Sequence, residues 1–136
     1  MNYERLNLDW NAEPNAPEPK LLVENGNVII EFYLNSFLYD NFSEDEIGKL
    51  TFINCQKYEF NDMNDEGYYS SKYRYKECEL PWGEFYKLTT SEIDFPKNFK
   101  LIENNSNLKN LNHYLFFFRD NIFECLAENF KFESIK

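Results

Sequence analysis

An Asn-Gly pair between two apolar runs is the feature that most limits the folds open to this chain. Leu21-Leu22-Val23-Glu24 precedes Asn25-Gly26, and the apolar run 28–34 follows it. A two-residue type I′ turn needs positive φ at both central positions, and Asn-Gly meets this need best. We therefore predict a β-hairpin. Alternate residues of its second strand share one face, which we assign to the core: Val28, Ile30, Phe32 and Leu34.

A second hairpin is predicted in the last third of the chain, with residues 113–118 and 122–133 as its strands. The apolar residues of the return strand occupy odd positions up to Ala127 and even positions from Phe130 onward. A one-residue shift turns a side chain to the opposite face of a sheet. Keeping both sets in the core therefore predicts a β-bulge near Glu128–Asn129.

Composition extends the β prediction to the rest of the chain. Aromatic residues make up 19% of it, and Phe and Tyr favour the half-buried surface of a strand. We predict further strands at residues 49–60, 68–76, 82–88 and 95–102, and one helical turn at most at 43–46. The expected fold is mostly β: an antiparallel sandwich or partly closed barrel of about seven or eight strands, with at most one or two short helical turns.

A single domain, residues 1–136, fits a chain of 136 residues, since two cores in this length would each be small. Residues 1–20 are predicted to form an extended arm, because Pro14, Pro17 and Pro19 each lack a backbone N–H. Trp10 is the predicted anchor of this arm. The spacing of Pro14 and Pro17 also fits the PxxP pattern, which leaves a recognition motif as the alternative.

Charge excludes several classes of partner. The formal net charge is −10, from 24 acidic residues against 14 Lys and Arg. Binding to nucleic acid requires a basic surface, so we expect no nucleic acid and no anionic membrane as a partner. An acidic domain attracts a basic protein instead.

A cytoplasmic location is expected from the apolar pattern and the cysteines. The longest apolar run, Tyr114–Phe118, is far shorter than the ~20 residues of a membrane helix. The first residues do not have the basic and apolar regions of a signal peptide. The cysteines are odd in number, as expected of reduced thiols; they are Cys55, Cys78 and Cys125.

Enzyme and metal signatures are sparse. Four glycines cannot build a dinucleotide or phosphate loop, and His113 is the single histidine. Residues 62–67 match the first half of a calcium loop, but Tyr73 occupies the twelfth position, where a bidentate Glu is required. We expect no catalytic residues, no metal and no cofactor. A Cys–His pair such as Cys125 with His113, or a pair of carboxylates, is the catalytic alternative.

The candidate binding site is a segment rich in tyrosine, tryptophan and acidic residues. Tyr and Trp are enriched at binding hot spots, and surrounding acidic groups steer a basic partner. The predicted partner-binding residues are Asp62, Asp65, Glu66, Tyr68, Tyr69, Tyr73, Tyr75, Glu77, Trp82 and Glu84. The same rings could instead be core residues, or could stack on sugars in a small-ligand or carbohydrate-binding module.

Three pieces of the chain together resemble one class of proteins: residues 10–17, residues 80–86, and residues 113–120 running into 123–125. They are similar to small acidic bacterial proteins of the kind found as immunity proteins beside polymorphic toxins. The resemblance implies a cytosolic protein that binds and blocks one toxin. Strong acidity then suits a cationic toxin such as a nuclease. No set of functional residues comes with the resemblance.

Overall fold

Strands dominate the computed structural model, which describes residues 2–62, 80–89 and 99–135. Within these ranges there are eight strands and one short 3₁₀ helix, Glu103–Asn105. The strands are β1 (Tyr3–Arg5), β2 (Lys20–Glu24), β3 (Asn27–Tyr33), β4 (Ile47–Asp62), β5 (Phe85–Leu88), β6 (Lys100–Leu101), β7 (Asn112–Phe117) and β8 (Asn121–Ile135). The predicted mostly β fold is confirmed. None of the helices in the described ranges is long and apolar enough to cross a bilayer.

The strands form one open antiparallel sheet in the order β1-β5-β7-β8-β4-β3-β2, with β6 paired to β4 off this path. The two longest strands, β4 and β8, are its centre and pair from Ile47 with Ile135 to Asp62 with Asn121. The sheet folds over on itself, because rings on β3 meet rings on β7 although β4 and β8 lie between them. Phe32 and Phe116, for example, have ring centroids 5.4 Å apart. The two halves of the sheet therefore enclose the main core, and a second, smaller buried cluster lies on the opposite face of β5 and β7.

The fold in the sheet coincides with an irregular stretch of β4. Pairing shifts between Cys55 and Lys57, and Asn54 has a φ of 52°. The Asn54 backbone N–H donates to Asn27 Oδ1 at 2.9 Å. An extra residue bends a strand and increases its twist. Side chains before and after the irregularity therefore reach the same core: Leu50, Phe52, Cys55, Tyr58 and Phe60.

The parity change predicted in β8 is confirmed, but the bulge is on the other strand. The apolar residues at odd positions, Phe123, Cys125 and Ala127, and those at even positions, Phe130 and Phe132, all belong to the main core or pack against it. The prediction of a bulge at Glu128–Asn129 is wrong, since the register shift lies in β4, opposite Leu126 and Ala127. The β8 residues over which the parity changes pair with Phe52 to Cys55 of β4, where Asn54 has a φ of 52°, a conformation that Asn tolerates. The two strands therefore bend together here, and the register shift follows in β4.

Both predicted hairpins are present. Asn25 and Gly26 have φ values of 53° and 79°, as a type I′ turn requires. All four residues assigned to the core face of the hairpin are buried: Val28, Ile30, Phe32 and Leu34. The strand predicted at 82–88 begins later, at Phe85, because Trp82 and Gly83 form a turn in which Gly83 has a φ of 90°. The strand predicted at 68–76 lies outside the described residues.

The N-terminal residues run along the folded sheet and enter its core. β1 pairs with β5 at one edge of the sheet, and Ala12 forms a bridge with Leu34. Trp10 is buried and stacks on Phe132, with ring centroids 4.1 Å apart and an interplanar angle of 5°. The arm therefore covers the side of the core that β3 and the end of β8 leave open.

Candidate functional site

The structure describes three of the ten predicted partner-binding residues: Asp62, Trp82 and Glu84. The other seven lie outside the described residues: Asp65, Glu66, Tyr68, Tyr69, Tyr73, Tyr75 and Glu77.

The three described residues lie at one end of the sheet. The Glu84 carbonyl accepts the Phe117 N–H at 3.2 Å, and the Trp82 ring stacks on the Phe117 ring at 4.9 Å. Asp62, the last residue of β4, pairs with Asn121 at the start of β8. The Asn121 side-chain amide donates to Asp62 Oδ1 at 2.8 Å. Because β7 and β8 are neighbours, the last residues of β4 and β7 lie here beside the first residues of β8 and the residue that precedes β5.

Glu84 holds the N-terminal arm in place. Its carboxylate accepts hydrogen bonds from Asn7 Nδ2 at 2.7 Å and from Asn11 Nδ2 at 3.5 Å. Asn7 is fully buried, and its Oδ1 accepts the Phe85 N–H at 3.1 Å. The Arg5 guanidinium lies 4.0 Å from the same carboxylate. The charge of Glu84 is therefore engaged within the protein, and a substitution there would disturb the arm as well as the surface charge.

A groove of about 440 Å³ opens at this end of the sheet. It lies between the arm, the turn before β5 and the end of β7. We call it the groove, and it is lined by Asn11, Ala12, Glu13, Pro14, Asn35, Trp82, Gly83, Phe117, Phe118 and Arg119. Aromatic rings with a few polar groups around them are typical of a ligand site. Two amides, the Glu13 carboxylate and one guanidinium supply the polar groups here, and that guanidinium donates to the Asn15 carbonyl at 2.5 Å.

The groove connects the three pieces on which the resemblance rests. Its lining falls within residues 10–17, 80–86 and 113–120, with Asn35 as the exception. Sequence reasoning selected Trp82 for binding and missed the rest of the lining. No local sequence signal marks these residues, because they come from distant parts of the chain and meet only in the fold.

Exposed acidic residues lie close in sequence or in strand pairing to the segments that line the groove. Asp62 and Asp120 are exposed beside the β7–β8 turn, and Asp40 is exposed in the loop that follows Asn35. Arg119 is the basic residue of the groove lining, with its neighbour Asp120 at 4.0 Å. We call this part of the surface, comprising the groove, Asp62, Asp120 and the loop 35–46, the groove end.

His113 forms a buried pair with a carboxylate instead of with a cysteine. His113 Nε2 lies 2.5 Å from Glu124 Oε2, and the two side chains are 5% and 2% exposed. Cys125 pairs with Tyr114 and belongs to the main core. Successive strand residues point to opposite faces, so His113 is directed away from Cys125. The catalytic Cys–His alternative for these two residues is therefore wrong.

The two described cysteines, Cys55 and Cys125, are buried free thiols in contact with each other. Burial raises the pKa of the Cys125 thiol well above its usual range, and the Cys55 thiol beside it raises it further. A thiol reacts through its thiolate. Cys125 is therefore a poor nucleophile and behaves as an apolar core residue.

In the described ranges, no group of three or more His, Cys, Asp and Glu side chains is placed to hold a metal ion. The calcium-loop match begins at Asp62 and continues outside these ranges. No protein-family model matches the chain, and comparisons with curated proteins and with solved structures also give no match.

Proposed function

We propose that this protein is a non-enzymatic, cytoplasmic binding domain that neutralises a basic bacterial toxin, in the manner of an immunity protein. The observation that carries the proposal is the net charge of −10 together with the exposed acidic groups at the groove end. A surface of this sign repels nucleic acid and attracts a basic protein. Complementary charge acts mainly on the rate of association and on the choice of partner.

The groove end also offers the apolar contact area that a tight complex needs. Trp82 is partly exposed and rests against Phe117, so its ring is held in one orientation. Fixed aromatic rings contribute large contact area at a low entropy cost. Charge therefore brings the partner to this end, and the rings stabilise the complex once it forms.

The buried thiols support the cytoplasmic part of the proposal. Cys55 and Cys125 are in contact in the core and are not joined in a disulfide. Free neighbouring thiols suit a reducing compartment, where an antitoxin would meet a toxin that acts inside the cell.

The proposal is tested with the full-length tagged protein as bait in lysate of the native host, at low and at high salt, with bound proteins identified by mass spectrometry. We expect one stoichiometric partner of basic isoelectric point whose binding weakens as salt rises. Absence of such a partner at both salt concentrations contradicts the proposal.

Charge reversal tests the same idea on the purified partner. The variant Asp62→Lys/Asp120→Lys reverses two exposed charges at the groove end and should slow association by about tenfold or more at low salt. The matched control is Glu24→Lys/Glu103→Lys, which makes the same charge change at exposed positions near the Asn25–Gly26 turn, at the other end of β3. Equal association rates for the two variants would show that the groove end does not attract the partner.

A small-ligand or carbohydrate-binding module is the second candidate, and the volume of the groove favours it. About 440 Å³ accommodates a small ligand. The Trp82 ring could stack on a sugar face while Asn11, Asn35 and Arg119 bind hydroxyl groups. A glycan array followed by a thermal-shift screen tests this candidate. A ligand that raises the melting temperature of the wild type and not of Trp82→Ala would favour it over the toxin inhibitor.

A further inference from the structure

The loop between β3 and β4 presents two neighbouring apolar side chains to solvent. Phe37 is 98% exposed and Leu38 is 67% exposed. Single exposed apolar residues are common on soluble proteins. A fully exposed phenylalanine beside an exposed leucine is uncommon, and an exposed apolar patch is typical of an interaction site.

Local hydrogen bonds fix the conformation that exposes Phe37. The Leu38 N–H donates to Asn35 Oδ1 at 3.0 Å, and the Tyr39 N–H donates to the Asn35 carbonyl at 3.2 Å. The Phe42 N–H then donates to the Tyr39 carbonyl at 3.1 Å. Phe42 packs against the core. The loop thus packs Phe42 against the core and exposes Phe37 to solvent.

The base of the loop is also tied down. The Leu34 N–H donates to the Glu46 carbonyl and the Asn35 N–H to the Asn11 carbonyl, each at 2.9 Å. Ser43 donates to Glu46 Oε1 from its N–H at 2.9 Å and from its hydroxyl at 3.0 Å. These contacts form a turn in place of the single helical turn that the sequence allows at 43–46. A loop already in its binding conformation loses little entropy when it binds.

Charge identifies the kind of partner that this loop fits. Residues 35–46 contain four acidic residues and no Lys or Arg, and Asp40, Glu44 and Asp45 are exposed. An anionic membrane or a second copy of the same chain would carry the same sign of charge and be repelled. An apolar pocket bordered by Lys and Arg side chains complements both the exposed apolar pair and the acidic residues of the loop.

The loop and the groove are parts of one surface, because Asn35 lines the groove and begins the loop. We propose that Phe37 and Leu38 are the apolar anchor of the complex and that they insert into an apolar pocket with a basic rim on the partner protein. This inference rests on the proposed function and assigns the residues that hold the partner once it has bound.

The test uses the basic partner captured under the proposed function, produced in pure form, and the full-length chain. Phe37→Ser/Leu38→Ser should weaken binding by at least about 30-fold, the loss typical of a hot spot, mainly through faster dissociation. The matched control Leu101→Ser removes an equally exposed leucine, 67% exposed, on β6 and should bind within about twofold of the wild type, the limit set by near-neutral contacts outside a hot spot. Both variants should keep the melting temperature of the wild type, since neither removes buried surface.

A photo-cross-linking residue at position 37 gives a second measurement that keeps all other residues of the chain unchanged. Cross-links to apolar residues within a basic surface of the partner support the anchor. If a basic partner is captured but the serine variant binds within about twofold of the wild type, the anchor is overturned and the proposed function stands. If no basic partner is captured, both proposals fail.

Discussion

Trp10 shows how a single side chain can attach an irregular segment to a sheet. Its ring lies 4.1 Å from Phe132 and 5.8 Å from both Phe32 and Phe116, measured between centroids. The sequence predicts that Trp10 anchors the arm to the domain. It does not predict the partner rings, because they come from strands distant in the sequence and meet only when the sheet folds over.

Truncation of Trp10 should therefore destabilise the protein strongly. Trp10→Ala leaves a large cavity among aromatic rings and should lower the free energy of unfolding by about 3–5 kcal/mol. Chemical denaturation followed by circular dichroism measures this loss. Trp82→Ala is the comparison, since Trp82 is only partly buried. Equal losses in the two variants would contradict the anchoring role.

Tyr114 links stability to alkaline pH. Burial raises its pKa to about 12, the Cys125 thiol beside it adds to this, and a hydrogen bond with Asn112 acts in the opposite direction. In the unfolded chain the pKa of tyrosine is about 10. Between these values the folded protein holds a proton that the unfolded chain has lost, so stability falls as pH rises.

Denaturant titrations between pH 9 and pH 12 test this. The wild type should lose stability progressively above about pH 10. Tyr114→Phe has no phenol to ionise at this position, and its loss over the same range should be smaller. Parallel pH profiles for the two proteins would show that Tyr114 does not carry the effect.

At the scale of elements, the hairpins were predictable because their signals are local. The Asn25-Gly26 turn and the alternating residues of β3 are adjacent in sequence, and both are found as predicted. The sequence predicted that the strands are irregular where the parity of β8 changes, but it did not predict which strand carries the bulge. Its placement between Cys55 and Lys57 depends on how β4 and β8 bend together, and a parity pattern in one strand cannot show this.

The turn at Gly26 provides a test at this scale. Gly26 has a φ of +79°, and a Cβ added there would lie 3.0 Å from Asn105 Nδ2. That amide bonds the Gly26 carbonyl at 2.9 Å and the Cys55 carbonyl at 2.7 Å. Gly26→Ala should lower the free energy of unfolding by about 1–3 kcal/mol through backbone strain and displacement of this amide.

The control for the turn is Asn25→Gly, because glycine readily adopts the positive φ of residue 25. It should change stability by no more than about 0.5 kcal/mol. A loss for Asn25→Gly as large as that for Gly26→Ala would show that side-chain contacts, and not positive φ, determine the turn.

At the scale of the whole molecule, the folded sheet seals its interior. Cys55 and Cys125 are both fully buried. In a Cys78→Ser background, we expect the two thiols to react with an aromatic disulfide reagent only as fast as the protein opens, and to react fully in denaturant. Rapid reaction in native buffer would contradict the sealed core. Absorbance of the released thiolate follows the reaction.

The candidate site was only partly predictable, because most of its residues come from distant parts of the chain and meet only in the fold. Trp82 could be selected from its chemistry, whereas Asn11, Asn35 and Arg119 join it only in the fold. Glu84 was predicted to bind a partner because of its charge, but its carboxylate accepts a hydrogen bond from Asn7. For Phe37 and Phe42, five residues apart in one loop, no local pattern indicates which ring faces solvent.

The central position of β8 has a consequence for synthesis of the protein. β8 is the last of the described strands in the chain, yet it lies between β7 and β4 in the sheet. Until the ribosome has made it, none of the other described strands joins β2, β3 and β4 to β5 and β7. The growing chain therefore exposes unpaired backbone and aromatic faces that favour aggregation. We therefore expect chaperones that bind exposed apolar segments to protect the nascent chain until β8 has been added.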